Sequence, residues 1–239
     1  MSKQVTEIIL LGFSPGSICN ITETAFKCYG CKNFKIIKNI DLPDDDIPFI
    51  HKNFSYTVYR LNEIQADYPE NFDFSNVHFG VNHSHIRPVI FEDFKKKFNI
   101  KRSNYLSIIH PTSVFSISSS HKEGFFAEEL SIVSSFSDIG FGVDLKRGSS
   151  VGHHSEIGDY VSLNPGAVLS GFVTVGEGTE IGAGATVLHN VNIGKHCLIG
   201  AGSVVTKDIP DGMIAYGNPC KVVRENERWV KTKQLLQQM

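Results

Sequence analysis

Residues 151–205 read VGHHSEIGDYVSLNPGAVLSGFVTVGEGTEIGAGATVLHNVNIGKHCLIGAGSVV, and this stretch repeats itself every six positions. Val151, Ile157, Leu163, Leu169, Val175, Ile181, Val187, Ile193, Ile199 and Val205 carry the large aliphatic side chain of each repeat. Four residues behind each stands a second, smaller class, as at Ser155, Val161, Ala167, Val173, Thr179, Ala185 and Cys197. Gly often follows the aliphatic, as at Gly152, Gly158, Gly176 and Gly194. A helix of period 3.6 or a hairpin strand of period 2 cannot generate a strict six. The pattern predicts a solenoid whose short strands each turn one large and one small side chain inward, with tight corners between them. Successive coils pair their strands, so no repeat is stable alone. Glycine is expected where a corner needs unusual φ/ψ or close backbone approach.

Working upstream, the same step of six runs back to Ile109, broken only at His121. Before it the grammar changes. Ile8 to Leu11 reads as a buried strand leading into Gly12-Phe13-Ser14-Pro15-Gly16-Ser17, with a helix expected from Ile18 to Tyr29. Further strands are expected at Lys35–Ile40, Val77–Val81 and Tyr105–Ile109, and a helix from Pro88 to Phe98. Alternating strand and helix predicts a small Rossmann-like parallel α/β unit, with ligands at the carboxyl ends of its strands. The Asp44-Asp45-Asp46 run and the stretch 48–74 carry no clear signal. Downstream, Asp208 to Pro219 is rich in turn formers, and Glu225 to Gln238 reads as a terminal helix covering a sheet edge. The expected organisation is an α/β domain over 1–106, a parallel β-helix over 107–222 and a helical tail over 223–239.

Composition narrows the function classes. The chain has 239 residues, 41% hydrophobic, with a formal net charge of -2 and no basic cluster, which argues against nucleic acid as a partner. The apolar run before Gly12 is too short for a membrane span or a secretory core segment, so no membrane partner and a cytoplasmic location are expected. Five cysteines, an odd number, argue against a disulfide framework. Cys28-Tyr29-Gly30-Cys31 has metal or redox spacing but no second pair, and structural thiols are expected there.

The segment Val151 to Lys221 resembles the left-handed β-helix of hexapeptide-repeat acetyltransferases. It is most similar to the bacterial branch that acetylates nucleotide-linked aminosugars and to the related sialic acid O-acetyltransferases. The likeness reaches upstream through the Gly12 to Ser17 loop, through Phe79-Gly80-Val81-Asn82-His83-Ser84-His85-Ile86-Arg87, and through Ile109-His110-Pro111. This resemblance implies left-handed winding, a homotrimer, acetyl-CoA in a groove between neighbouring β-helices, and a nucleotide-linked aminosugar held partly by the N-terminal domain. No metal is implied.

Acyl transfer from a thioester needs a base for the acceptor's proton and a donor for the developing oxyanion. The resemblance places the base at His153 within Val151-Gly152-His153-His154. With the family's three hexads per coil, Gly171, His189 and Lys207 share its corner. Gly171, one coil up, is then the source of a backbone N–H for the thioester oxygen. Family members carry an acidic residue where this chain has His154, which is placed with His153 and Gly171 in the expected catalytic set; without that carboxylate, Glu156, a backbone carbonyl or another subunit is left to orient the ring, and a second family histidine falls at Ser162. Ala183 and Ala201, eighteen apart on another corner, match positions contacting CoA, or are small only because the corner is tight. Lys207 is a candidate for a CoA phosphate. For substrate binding the resemblance implicates Ser14 and Gly16 as a diphosphate loop, with Asn82 in a glycine-like conformation, Arg87 and His110. The leading expectation is an N-acetyltransferase acting on a 4-amino group. Sugar O-acetylation, a non-catalytic nucleotide-sugar-binding protein and, more remotely, a zinc-dependent carbonic anhydrase built on the His153 and His189 corner are the rivals.

Overall fold

The computed structural model describes residues 5–38, 50–61, 64 and 72–238. The Asp44 to Asp46 run lies outside the described residues. In the N-terminal domain, β1 (Glu7–Leu11), β2 (Asn33–Lys38), β3 (Ser55–Arg60) and β4 (Val77–Phe79) form a parallel sheet in the order β3-β2-β1-β4. β1 is buried along most of its length because helices and loops cover both faces, which is why Ile8 to Leu11 is an unbroken apolar run. β3 has no counterpart in the sequence reading. Its exposed Ser55, Tyr56 and Thr57 make it an edge strand with little inward signature.

α1 runs from Pro15 to Tyr29, three residues earlier than the expected start, and closes on Gly30 at φ 72°. Pro15 explains the earlier start, since its fixed φ suits the first helical turn. A second helix, Arg87–Phe98, follows β4 and ends at Asn99 with φ 53°. No described helix is long and apolar enough to cross a membrane.

From Ile108 to Val205 the chain is a left-handed parallel β-helix built of two-residue strands. Its strands fall into three sheets, of six, five and six strands, the last extended to eight by Met213–Tyr216 and Lys221–Glu225. Pairing is parallel and eighteen residues apart, as in Ser150 with Val168 and Val151 with Leu169. The second residue of each strand points inward, so Val151, Leu163, Ile181 and Ile199 are buried, and Val161, Ala167, Ala185 and Cys197 fill the narrower corners.

The corners separate the two uses expected of glycine. The glycine after each aliphatic has ordinary φ; the left-handed conformation falls two residues later, at His154, Tyr160, Phe172, Asn190 and His196, or at glycines such as Gly166 and Gly184. Gly152 is needed instead for close approach, because a Cβ there would lie 2.4 Å from the Ser170 carbonyl oxygen of the next coil.

The two domains share a core. Phe79, Phe91 and Tyr105 pack with Phe141 and Tyr160 from β-helix corners. The terminal helix, Glu227–Gln238, docks through buried Trp229, whose ring sits 3.9 Å from that of His196 and fills the space beside Gly178.

Candidate active site

His153 stands two residues past the inward Val151, on the corner after the strand Ser150–Val151, and its side chain is exposed. The ring rests over Gly171 in the next coil. A Cβ on Gly171 would meet His153 Cε1 at 2.6 Å and Nε2 at 2.7 Å. Gly171 therefore supplies the room that lets the imidazole lie against the backbone. It also removes any side chain between His153 and His189. Their rings stand 6.2 Å apart, nearer than the roughly 10 Å that two strand spacings would give.

His154 is the left-handed residue of this corner, at φ 55°, and its N–H donates to the Ser135 carbonyl at 2.9 Å. Its Nδ1 lies 3.1 Å from Nδ1 of His153. The His154 ring is stacked on Phe172 at 4.8 Å with a 9° interplanar angle, and Phe136 approaches its other side at 5.0 Å. Phe172 also meets His153 edge-on at 5.2 Å. Glu156 points outward from the next strand and is exposed; among the described residues it makes no hydrogen bond to either imidazole.

The remaining candidates on the β-helix lie where their spacing puts them. Ala183 and Ala201 are exposed and one coil apart, with Gly202 N–H donating to the Ala183 carbonyl at 2.8 Å. Lys207 is exposed on the His153 corner. A groove of about 550 Å³ runs along the adjacent five-stranded face, lined by Ser120, Asp138, Glu156, Thr174 and Lys195; of the residues singled out from the sequence for the site only Glu156 lines it. Among the described residues no group of three or more histidine, cysteine or acidic side chains is disposed to hold a metal.

At the carboxyl ends of β1 and β4, Gly12 and Gly80 bring two loops into contact, since a Cβ on Gly80 would lie 2.3 Å from the Gly12 carbonyl oxygen. Ser14 is the N-cap residue of α1, extended at φ -144°, and its hydroxyl accepts from Ser17 Oγ at 3.1 Å. Gly16 sits in the first turn of α1 with open space beside it.

Three expectations change here. Asn82 is not among the described non-glycine residues with positive φ; its carbonyl accepts from Ser162 Oγ at 3.3 Å. Arg87 is neither a surface charge nor open to a solute. It is 2% exposed, and its Nη2 donates to the carbonyls of Tyr160 (2.7 Å) and Val161 (3.2 Å) and to Ser162 Oγ (2.8 Å). Its Nη1 is 3.5 Å from Asp144 Oδ2, equally buried. Burial pushes the Asp144 carboxyl up to about 6, while Lys146 and Arg87 pull the other way. Arg87 and Ser162 thus fasten the loop after β4 to the β-helix. His110 is also buried, its Nδ1 2.8 Å from Thr112 Oγ1, which ties it into the first coil.

Sequence reasoning did not find Phe136 and Phe172 beside the histidine pair. The signal was available, because both occupy the sixfold position of His154 one coil below and one coil above.

The fold and this corner define the chain's class as a hexapeptide-repeat left-handed β-helix with an N-terminal α/β domain. Residues 172–207 match the family model described as bacterial transferase hexapeptide (six repeats). Comparison with curated protein sequences finds no match. Among solved structures, the chain is similar to the acetyltransferase domain of PglB from Neisseria gonorrhoeae FA1090 in complex with acetyl coenzyme A. That similarity has 24% identity and a TM-score of 0.72, over 91% of this chain and 98% of the other. A mutant of GDP-perosamine N-acetyl transferase from Caulobacter crescentus in complex with CoA and GDP-perosamine is similar at 23% identity and TM-score 0.76, over 92% and 98%. WeeI from Acinetobacter baumannii AYE is similar at 22% and 0.71, over 91% and 99%.

Proposed function

We propose that this protein transfers the acetyl group of acetyl-CoA to an amino group, the 4-amino group, of a nucleotide-linked aminosugar, with His153 as general base. The observation that carries the reading is the placement of an accessible imidazole on a β-helix corner, flush against the unobstructed backbone of Gly171. The fold similarity to an acetyltransferase domain in complex with acetyl coenzyme A and to an aminosugar N-acetyl transferase in complex with CoA and a nucleotide-linked sugar supports the substrate classes.

In this mechanism His153 Nε2 accepts the acceptor's proton as the nitrogen attacks the thioester carbonyl. Gly171 N–H stabilises the oxyanion; collapse then breaks the C–S bond and releases the CoA thiolate. Ala183 and Ala201 admit the pantetheine arm without a side chain in its way, and Lys207 faces a CoA phosphate. Ser14, Gly16 and the start of α1 receive the nucleotide diphosphate, since helix N-termini favour anions.

The protein works as a homotrimer. The six-stranded face beside His153 exposes Val114, Ile132 and Val168, with Leu130, Phe136, Phe172 and Leu188 along its corners, an apolar surface broken by Ser150 and Thr186 and suited to a neighbouring β-helix. The test is incubation with acetyl-CoA and a panel of UDP-, GDP- and dTDP-linked aminosugars, read by mass spectrometry. Acetyl addition to an amino sugar supports the proposal. Acetylation of hydroxyl sugars alone points to O-acetylation, and binding without turnover to a sugar-nucleotide sensor.

A further inference from the structure

The geometry points to His154 as the residue that fixes His153 for catalysis, through an imidazole-to-imidazole hydrogen bond in place of a carboxylate. The inference rests on the reading of His153 as the base and names the group that sets its tautomer.

The two Nδ1 atoms are 3.1 Å apart, so one must carry hydrogen and the other a lone pair. If His154 were the donor, His153 would hold its single proton on Nε2 and could accept nothing at the edge that lies against Gly171. If His154 is the acceptor, His153 carries Nδ1–H and presents the Nε2 lone pair beside the Gly171 backbone. Only the second arrangement makes a base. In it the acceptor nitrogen gives its proton to Nε2 and its electron pair to the thioester carbon. The C–S bond electrons leave with sulfur, and the thiolate takes the proton back from the imidazolium.

Packing holds the His154 ring where its Nδ1 meets that of His153. Phe172 stacks on one face at 4.8 Å and Phe136 lies at 5.0 Å, so the ring is held in one orientation by aromatic neighbours from the coils on both sides. Its own left-handed backbone conformation, secured by the Ser135 carbonyl, aims the ring sideways along the corner towards His153.

The chain itself supplies well-controlled substitutions. Phe136 and Phe172 occupy the same corner position at φ 58° and 57°, and Asn190, two coils on, does so at φ 59°. His154→Phe therefore keeps the backbone and the ring stack while removing the acceptor. His154→Asn keeps an acceptor, because its Oδ1 is bonded to Cγ as Nδ1 is in histidine.

The first readout needs no substrate: ¹⁵N-resolved NMR of the histidine rings in the intact protein, assigned with His153→Gln and His154→Phe. We expect Nδ1–H on His153 and Nε2–H on His154 in the native protein, and loss of the fixed Nδ1–H form of His153 in His154→Phe. The second is steady-state turnover. His154→Phe is expected to lower kcat about 10- to 100-fold with little change in KM, a fraction of what a general base contributes, and His154→Asn to recover most of it. Finding His153 as Nε2–H in the native protein, or full kcat in His154→Phe, overturns the proposal. A His153→Ala variant with native turnover would instead overturn the assignment of the base, leaving the tautomer measurement to stand on its own.

Discussion

Replacing Arg87 with Met tests how the N-terminal domain is held on the β-helix. Arg87 is 2% exposed and its guanidinium bridges three groups of the corner at Tyr160 to Ser162 as well as Asp144. Neither carboxylate oxygen of Asp144 has a hydrogen-bonding partner among the described residues, its contact with Arg87 being an ion pair, and burial already holds its carboxyl at about 6. Once Arg87 is gone this carboxyl protonates, which limits the extra penalty from the stranded acid to about 1–2 kcal/mol at neutral pH. Losing the charge-assisted bonds to Tyr160 and Ser162 adds about 1.5–3 kcal/mol. Together these give about 2.5–5 kcal/mol, which spans the range for a broken buried ion pair. The sign with pH follows from the raised carboxyl. In the native protein Asp144 is protonated below about 6, so the cost of Arg87→Met shrinks by about 1–2 kcal/mol between pH 7.5 and pH 5. Urea denaturation followed by circular dichroism and by Trp229 fluorescence separates the whole chain from the β-helix. The double variant Arg87→Met/Asp144→Val should regain much of the loss, since both buried charges leave together. A single variant within about 1 kcal/mol of native at pH 7.5, or a double variant worse than the single, would refute the reasoning.

Three further outcomes follow from the same contacts. Gly171→Ala should fold normally, because Gly171 has ordinary φ, yet its Cβ would displace the His153 ring; kcat should fall at least about tenfold with a thermal transition within a few degrees of native. His78 is fully buried against Phe79 and Phe126, and burial lowers it to about 4. A histidine depressed in the folded state gives up stability as pH falls from about 6.5 towards 4, roughly 3 kcal/mol here, and His78→Phe should flatten that part of the stability–pH curve. Trp229→Ala, which empties the space beside Gly178 and His196, should cost about 3–5 kcal/mol and release the terminal helix, seen as faster amide exchange across 227–238.

The β-helix was legible because its period of six is imposed at every coil: each strand must present one large inward residue, and Val151 to Val205 does so without a break. The corner holding His153 and Gly171 followed from that register together with the three hexads per coil that the family resemblance implies. The edge strand Ser55–Arg60 was not legible, since exposure removes the alternation that marks a strand. Arg87 was misjudged for a related reason. Nothing local distinguishes a solvated arginine at a helix start from one buried against Asp144 and Ser162, residues 57 and 75 positions away, because only the docked domains bring them together. The bracketing of His154 by Phe136 and Phe172 sits between these cases, encoded in the eighteen-residue spacing but visible only once side chains on one corner are read as neighbours.

The most direct test of the account is acetyl transfer by the native protein and by His153→Ala, measured side by side with acetyl-CoA and the nucleotide-linked aminosugar found to serve as acceptor. Release of CoA in step with N-acetyl product, reduced at least about 100-fold in His153→Ala with the fold intact, is the predicted result. Equal rates for the two proteins, or CoA release with no acetylated sugar, would contradict it.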